Sequence, residues 1–402
     1  MVIDPLLKSY GGHHFSWCKA ISEFCKRAGF HFRAFGHEDC EKDIARDVPV
    51  EPRFAHAVIE IDIKIRILGP LVAIILCNRR LLAALKSLDL KTLTSQDLVV
   101  FTGASIYQFD AIRRWHKSYA KERPRLAVYV YDNVSSSSNG RSKLTKLGLI
   151  VKYQLTRLFR ESGEAASLFT ESEATAKQYE SLVGRAVTVL PFPSIISFSS
   201  QPKTTNDRLI SYLGHARTEK GFELVANSIG PILAKWPEAR FFIQCTDTSD
   251  NGMSNSIRAA VERVLGYGNA IEVEREYLTP IRYNEIFSKS GLLLLAYKAA
   301  SYATRGSGIA FEAMLVGKPM VVSPHTWMSA RLEEAGLGTF VMAEETVEAL
   351  VVVVDRFLVD REKWTAAFSE AAKLWRQKDS QSDFFVAFKL FHAKQCGLHI
   401  LD

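Results

Sequence analysis

Short apolar runs alternate along the chain with helix-length segments in which apolar residues recur every three or four positions. In the first half this pattern predicts strands at 2–3, 98–103, 126–132 and 167–172, with a helix following Gly11 and Gly12. The pattern then restarts, with strands at 208–214, 239–245, 270–274, 292–297 and 319–324 and helices beginning at Gly221 and Gly308. Such alternation is typical of a parallel sheet with crossover helices. The sequence therefore predicts an α/β protein with two sheets in tandem.

The domain organisation follows from length and from one change of composition. The 402 residues exceed the roughly 250–300 that one hydrophobic core serves, so two domains are expected. A Pro/Ser/Thr-rich stretch at 194–206 is the predicted linker between an N-terminal domain at 1–193 and a C-terminal domain at 207–378. Residues 379–402 are too apolar for a free end, and we expect a helix that packs back on the N-terminal domain.

Two further segments have predictable character. The apolar run at 67–77 is too short to span a bilayer and predicts a buried helix. The serine-rich stretch at 135–139 predicts a mobile loop.

Charge and cysteine content restrict the possible partners and the compartment. A net charge of +7 and a pI of about 9.0 favour anionic partners. The six cysteines are scattered, which argues against a disulfide framework and a structural zinc site and favours a reducing compartment. The N-terminus lacks the pattern of a secretory signal, so a cytoplasmic location is predicted.

A first candidate site is the segment 214–221, which lies between a predicted strand and a predicted helix. Gly214 and His215 open it, and Arg217 and Lys220 add two cations close to the helix start. Free backbone amides and the positive end of the helix dipole bind phosphate at such a turn. The alternative interpretation is a solvated basic turn.

A second candidate site is the segment 304–312. Thr304, Arg305, Gly306 and Ser307 precede the helix that Gly308 opens, and the glycines allow a ligand to approach backbone amides. Glu312 lies one turn further on and is suited to accept hydrogen bonds from sugar or ribose hydroxyls. A glycine-rich connection with a structural glutamate is the alternative.

Two weaker candidates lie in the first half of the chain. Gly11, Gly12 and His13 follow the first strand, where small residues leave room for a ligand. Two adjacent histidines without a partner at ligand spacing do not predict a metal site. Asp132 ends a β-run, a position where open α/β sheets carry functional groups, although an ordinary turn is an equal alternative.

Several chemistries are disfavoured because their motifs are missing. The chain has no Walker A sequence, no complete G-x-G-x-x-G, no Asp-x-Asp and no G-x-S-x-G. ATPases, dehydrogenases and hydrolases therefore lose support.

The segments 210–222 and 305–324 resemble the C-terminal half of GT-B glycosyltransferases of the large retaining family 4. The resemblance implies a GT-B fold, two Rossmann-like domains with a cleft between them. It also implies metal-independent transfer of a hexose-like sugar, as in polysaccharide biosynthesis, from a nucleotide sugar to a saccharide or lipid-linked saccharide hydroxyl. The configuration would be retained, and no cofactor is implied beyond the donor substrate.

Carried over residue by residue, the resemblance implies that Lys220 binds the donor diphosphate and that Glu312 binds the ribose. Two positions depart from the family pattern. His215 stands where the family has an arginine, so Arg217 is the expected substitute, and Thr304 stands where the family has a second glutamate. Asp132 occupies the region of a family histidine and is a candidate catalytic contact. These departures keep open a catalytically inactive nucleotide-sugar-binding or scaffold protein.

The segment 142–161 combines an apolar helical stripe with basic residues, and further basic residues lie at 113–125. An anionic membrane surface is therefore a candidate neighbour, on the inner face of the membrane. A helix that covers a parallel sheet shows the same pattern. Nucleic acid is not predicted as a partner, although the basic stretch leaves it as an alternative.

Overall fold

The structure is a computed structural model. It describes the chain except residues 11–12, 56–68, 120–121, 133, 139–140, 194–205, 247–253, 380 and 397–402. The predicted linker thus lies almost wholly outside the described residues. The chain divides into a first unit, Met1–Pro193 with Gln381–Asp402, and a second unit, Ser194–Ser380.

The first unit contains a seven-stranded parallel sheet with the order β3-β2-β1-β4-β5-β8-β9. Consecutive apolar residues such as 98–101 and 126–129 are buried because helices cover both sheet faces. The strands are β1 (Val2–Ile3), β2 (Ala34–His37), β3 (Val50–Phe54), β4 (Leu98–Phe101), β5 (Arg125–Tyr129), β8 (Ala166–Thr170) and β9 (Val187–Val189), and a separate hairpin consists of β6 (Ser135–Ser138) and β7 (Arg141–Leu144).

Crossover helices connect these strands. They are α1 (His13–Ala28), α2 (Ile44–Asp47), α3 (Gly69–Ser87), α4 (Phe109–Lys117), α5 (Lys146–Ser162) and α6 (Glu173–Val183). The side chains of Thr145 and Ser172 begin α5 and α6 by accepting hydrogen bonds from backbone amides of the first turn. Gly184 ends α6 in the left-handed conformation, which glycine adopts without strain.

The second unit contains a five-stranded parallel sheet with the order β12-β11-β10-β13-β14. Its strands are β10 (Asn206–Tyr212), β11 (Arg240–Gln244), β12 (Ile271–Glu274), β13 (Ser290–Leu295) and β14 (Met320–Val322). Its helices are α7 (Phe222–Lys235), α8 (Asn255–Leu265), α9 (Pro280–Lys289), α10 (Ala299–Tyr302), α11 (Gly308–Val316), α12 (Trp327–Glu334), α13 (Val347–Val359) and α14 (Arg361–Asp379). The predicted pair of α/β sheets is confirmed.

The last helix, α15 (Gln381–Cys396), belongs to the first unit. Its aromatic side chains pack on α1, since the ring of Phe384 lies 5.6 Å from Trp17 and that of Phe388 lies 5.0 Å from Phe24. Burial of these rings explains why the end of the chain is so apolar.

Each sheet has a switch point, where connections leave two neighbouring strands in opposite directions. In the first unit the switch point lies between β1 and β4, and in the second unit it lies between β10 and β13. Ligands of open α/β sheets bind at the carboxyl ends of the strands at such points. These two edges are therefore where functional residues are expected.

Two expectations about local structure were wrong. The serine-rich stretch is not a loop, because residues 135–138 form β6 and pair with β7 in an antiparallel ladder. Backbone pairing overrides the weak β-propensity of serine there. The apolar run at 67–77, described from Gly69, is helical but only partly buried, since Leu71 and Ile75 are exposed while Ile74 and Cys77 are buried. Within the described part of the chain, no helix is both long enough and apolar enough to cross a bilayer.

Candidate functional site

The first candidate site, the segment 214–221, follows β10 at the switch point of the second unit. A short 3-10 turn, Thr218–Lys220, leads through Gly221 into α7. Gly221 has a φ of 67°, and a methyl group there would lie 1.8 Å from the carbonyl oxygen of Ala296. Gly214 has a φ of 120°, and a methyl group there would lie 2.9 Å from the Lys220 Nζ. Both glycines are therefore needed for this close approach of loop, lysine and neighbouring strand end.

Three cations converge at this loop. Burial, followed by the charges of Arg217 and Arg305, lowers the pKa of Lys220 to about 7. The Lys220 Nζ lies 5.6 Å from the centre of the Tyr297 ring, and Arg305 lies over the ring of Tyr302. Neighbouring cations repel each other, so an anion that binds among them lowers their electrostatic energy.

His215 lies in the same loop but contributes no charge. Burial, followed by the charges of Lys220 and Arg217, lowers its pKa to about 2, so the imidazole is neutral at ordinary pH. Within the described part of the chain its Nδ1 atom has no hydrogen-bond partner. The position at which the resemblance implies an arginine therefore carries a neutral side chain, and Arg217, which is exposed, provides a charge two residues later.

The second candidate segment adjoins the first. A methyl group at Gly214 would lie 3.8 Å from the Ile309 Cδ1 in the first turn of α11. Ser307 begins α11, and its hydroxyl accepts a hydrogen bond from the amide of Ala310 at 3.3 Å. Thr304, Arg305 and Gly306 form the connection between α10 and α11. The α11 N-terminus, with Gly308 as its first residue, thus lies beside the loop that carries Lys220.

Glu312 is more enclosed than its sequence position suggests. It lies in the second turn of α11, is 4% exposed, and its Oε2 accepts a hydrogen bond of 2.5 Å from the hydroxyl of Tyr283 on α9. Burial and the carboxylate together raise the pKa of that hydroxyl well above its usual value. Glu312 is thus enclosed in part by Tyr283, a residue of α9 that lies 29 positions earlier in the chain.

The switch point of the first unit carries a group that the sequence did not reveal. Asp4 follows β1, is fully buried, and accepts hydrogen bonds from the hydroxyl of Thr102 at 2.5 Å and from the amide of Leu6 at 3.0 Å. Its Oδ2 also lies 2.8 Å from the Nδ1 of His14, the second residue of α1. A buried carboxylate with this partner fixes the tautomer and orientation of the imidazole. The sequence feature that could have identified Asp4 is its position directly after an apolar strand.

The other candidates of the first unit lie near this edge. The ring of His13 is 5.5 Å from Tyr129 and 5.2 Å from Tyr131. Asp132 follows the end of β5, one strand beyond the switch point, and burial together with its charge raises the pKa of Tyr179. Gly11 and Gly12 lie outside the described residues. Among the residues with described placement, no group of three His, Cys, Asp or Glu side chains forms a metal site.

Comparison with solved structures identifies the architecture. The chain matches Anabaena HepE in complex with UDP at a TM-score of 0.63 and 14% identity, over 97% of this chain and 98% of that one. It matches sucrose-phosphate synthase from Thermosynechococcus elongatus at a TM-score of 0.65 and 13% identity, over 97% and 96%. The pneumococcal O-GlcNAc transferase GtfA in complex with UDP and GlcNAc matches at a TM-score of 0.60 and 13% identity, over 79% and 60%.

The chain has the GT-B fold. The predicted fold class is thereby confirmed. No protein-family model and no curated protein matches the sequence. At 10–15% identity the structural likeness shows the fold alone, so the roles of the individual residues are argued from their geometry.

Removing the cap of α11 should weaken the second unit. In Ser307→Ala the amide of Ala310 loses its acceptor, and we expect the free energy of unfolding to fall by about 1 kcal/mol. Urea denaturation followed by tryptophan fluorescence measures this change. Ser307→Thr keeps the hydroxyl and is the matched control. Equal stability of the alanine variant and the parent would show that the cap is not needed.

Proposed function

We propose that the protein is a retaining glycosyltransferase. In this proposal the second unit holds a nucleotide-sugar donor, the first unit holds the acceptor, and a hexose-like sugar moves to a hydroxyl of a saccharide or lipid-linked saccharide. The observation that carries the proposal is the convergence of Arg217, Lys220 and Arg305 beside the N-terminus of α11 at a switch point. This arrangement suits the diphosphate of a nucleotide. HepE and GtfA, which share the fold, are each described with UDP.

In this proposal the second unit contributes to catalysis by electrostatic stabilisation. As the bond between the sugar and the diphosphate breaks, negative charge grows on the leaving phosphate. Lys220, Arg217 and the start of α11 stabilise that charge more in the transition state than in the ground state. The proposal assigns this work to fixed cations and gives no part of it to a metal ion. Glu312, held by Tyr283, is assigned to the ribose hydroxyls.

The first unit supplies the candidate acceptor site. His14, oriented by Asp4, and His13 and Asp132 lie at the carboxyl edge of its sheet. Asp132 keeps its proposed role as a contact at the reacting centre. The free thiols of the described cysteines suit a cytoplasmic enzyme, which could also lie peripherally on the inner face of the membrane.

A nucleotide panel tests donor binding. We expect UDP, GDP or ADP, with or without an attached sugar, to stabilise the protein by about 2.7 kcal/mol at one hundred times its dissociation constant. Thermal unfolding of the full chain measures this. The absence of stabilisation by every nucleotide diphosphate would contradict the proposal.

The alternative, a catalytically inactive nucleotide-sugar-binding or scaffold protein, rests on the neutral His215 and on Thr304. Release of nucleotide diphosphate from a nucleotide sugar distinguishes the two functions. Turnover supports the transferase. Binding without turnover, across a panel of saccharide and lipid-linked acceptors, supports the inactive protein.

A further inference from the structure

Helix α5 has two apolar sides. Val151, Leu155 and Leu158 are buried against the sheet of the first unit. On the outward side Leu149 is 56% exposed and Tyr153 is 62% exposed. The buried side accounts for the amphipathic pattern that a sheet-covering helix requires. The outward apolar residues, which we call the α5 outer face, are not needed for that packing.

Basic side chains surround the α5 outer face. A shallow groove of about 450 Å³ is lined by Leu149, Lys152, Tyr153, Thr156, Arg157 and Arg160. The Arg157 guanidinium lies 5.5 Å from the centre of the Tyr153 ring and also approaches Glu161 at 3.7 Å. Lys152 and Arg160 are exposed, and within the described part of the chain neither forms an ion pair. The groove therefore combines apolar walls with uncompensated positive charge.

A second helix on the same face of the sheet also exposes apolar residues near its start. Helices α3, α4 and α5 lie on one face of the sheet, since they connect strands that succeed each other in one direction across it. Leu71 and Ile75, in the first turns of α3, are exposed like Leu149 in the first turns of α5. Crossover helices run antiparallel to the strands, so the first turns of α3 and α5 both lie towards the carboxyl edge of the sheet. That edge also carries Asp4.

We propose that the α5 outer face docks on an anionic phospholipid bilayer. Leu149 and Tyr153 enter the boundary between headgroups and acyl chains, and Lys152 and Arg160 meet lipid phosphates. Charge complementarity and exposed leucines favour a bilayer over nucleic acid, because aliphatic side chains do not stack on bases. The docking deepens the proposed function, since it brings the carboxyl edge of the first unit to a surface where a lipid-linked acceptor resides.

Vesicle co-sedimentation of the full chain tests the docking without any donor or acceptor. The vesicles are phosphatidylcholine with or without phosphatidylglycerol. We expect binding only with phosphatidylglycerol, and loss of binding between ~0.1 M and ~1 M salt, because the Debye length falls from ~10 Å to ~3 Å. Neutralising two cations in Lys152→Gln/Arg160→Gln should reduce the partition coefficient about thirtyfold. Leu149→Ser/Tyr153→Ser should also reduce it, through lost apolar burial.

Matched controls separate this surface from net charge and general hydrophobicity. Lys26→Gln/Lys42→Gln removes the same charge from exposed positions outside α5, and Ile281→Ser removes an 84% exposed apolar residue of α9. Both controls should bind like the parent. Equal loss in the controls and the α5 variants, or no binding to anionic vesicles at ~0.1 M salt, would overturn the proposal.

Two further outcomes would also overturn it. One is saturable binding of free glycerol phosphate without vesicle binding, and the other is retention on RNA or DNA instead of vesicles. Stabilisation of the same samples by nucleotide is measured in parallel, so that the docking and the proposed glycosyltransferase function are tested separately. A protein that binds nucleotide but not vesicles contradicts only the docking.

Discussion

Lys220→Ala should weaken the binding of nucleotide diphosphate by about one to two orders of magnitude, because a charge-assisted contact worth roughly 1.5–3 kcal/mol is lost. Backbone hydrogen bonds close the turn, from the amide of Lys220 to the carbonyl of Arg217 and from the amide of Gly221 to that of Thr218, so replacing the lysine side chain leaves the turn intact. Isothermal titration calorimetry measures the change. Arg217→Ala should act in the same direction, whereas Lys26→Ala in the first unit should bind like the parent. Unchanged affinity in folded Lys220→Ala would place the phosphate site elsewhere.

The depressed pKa of Lys220 makes this binding depend on pH. In the folded protein the pKa is about 7, against 10.5 for an ordinary lysine, so the unfolded chain binds more protons between these values. This group therefore lowers the stability of the folded protein at pH 7 and below, and its penalty fades as pH rises towards 10.5. A bound diphosphate favours the charged lysine, so binding takes up a proton above pH 7. Affinity should fall as pH rises above 7, by up to tenfold per unit.

Calorimetry in buffers of different ionisation enthalpy measures the proton uptake directly. Above pH 7 the parent should take up a fraction of a proton on binding, and Lys220→Ala should not take up that fraction. The diphosphate itself is almost fully ionised there, so its own titration contributes little. Equal proton uptake in the parent and the variant would show that Lys220 is not the group that titrates.

Periodicity revealed the segments of this fold, because a strand followed by glycine and a helix is a local pattern. The loop with Gly214 and Lys220 and the start of α11 are both of this kind. The contacts that complete the sites are not local. Asp4 meets Thr102 across 98 positions, and Glu312 meets Tyr283 across 29. Which polar residues meet is decided by strand order and helix packing, which periodicity does not encode.

The amphipathic stretch at 142–161 shows a second limit of the sequence pattern. One stripe of leucines predicts one buried side, yet Leu144 and Leu147 at its start are exposed while Leu155 and Leu158 are buried. Helix α5 begins only at Lys146, and Leu144 belongs to β7. A helical projection therefore joins residues of two different elements. Which side of α5 is exposed became apparent only from its packing on the sheet.

Glu312→Gln should separate recognition of the nucleoside from recognition of the diphosphate. The carboxylate is buried and held by Tyr283, and glutamine keeps its shape and its ability to accept that hydrogen bond. The bond to a neutral acceptor is weaker, so the free energy of unfolding should fall by about 1 kcal/mol. The lost charge should weaken a nucleotide sugar about tenfold or more, since hydroxyls donate more strongly to a carboxylate than to an amide. Inorganic pyrophosphate, which has no ribose, should bind unchanged.

Tyr283→Phe is the matched control for this residue. It keeps the charge of Glu312 and removes only the hydroxyl that orients it, so we expect a smaller loss of nucleotide-sugar affinity than in Glu312→Gln. Calorimetry measures the affinity of each variant for a nucleotide sugar and for pyrophosphate, and urea denaturation measures its free energy of unfolding. If Glu312→Gln binds both ligands like the parent while its stability falls, the carboxylate serves the packing of α9 on α11. In that case the ribose is held by other groups of the second unit.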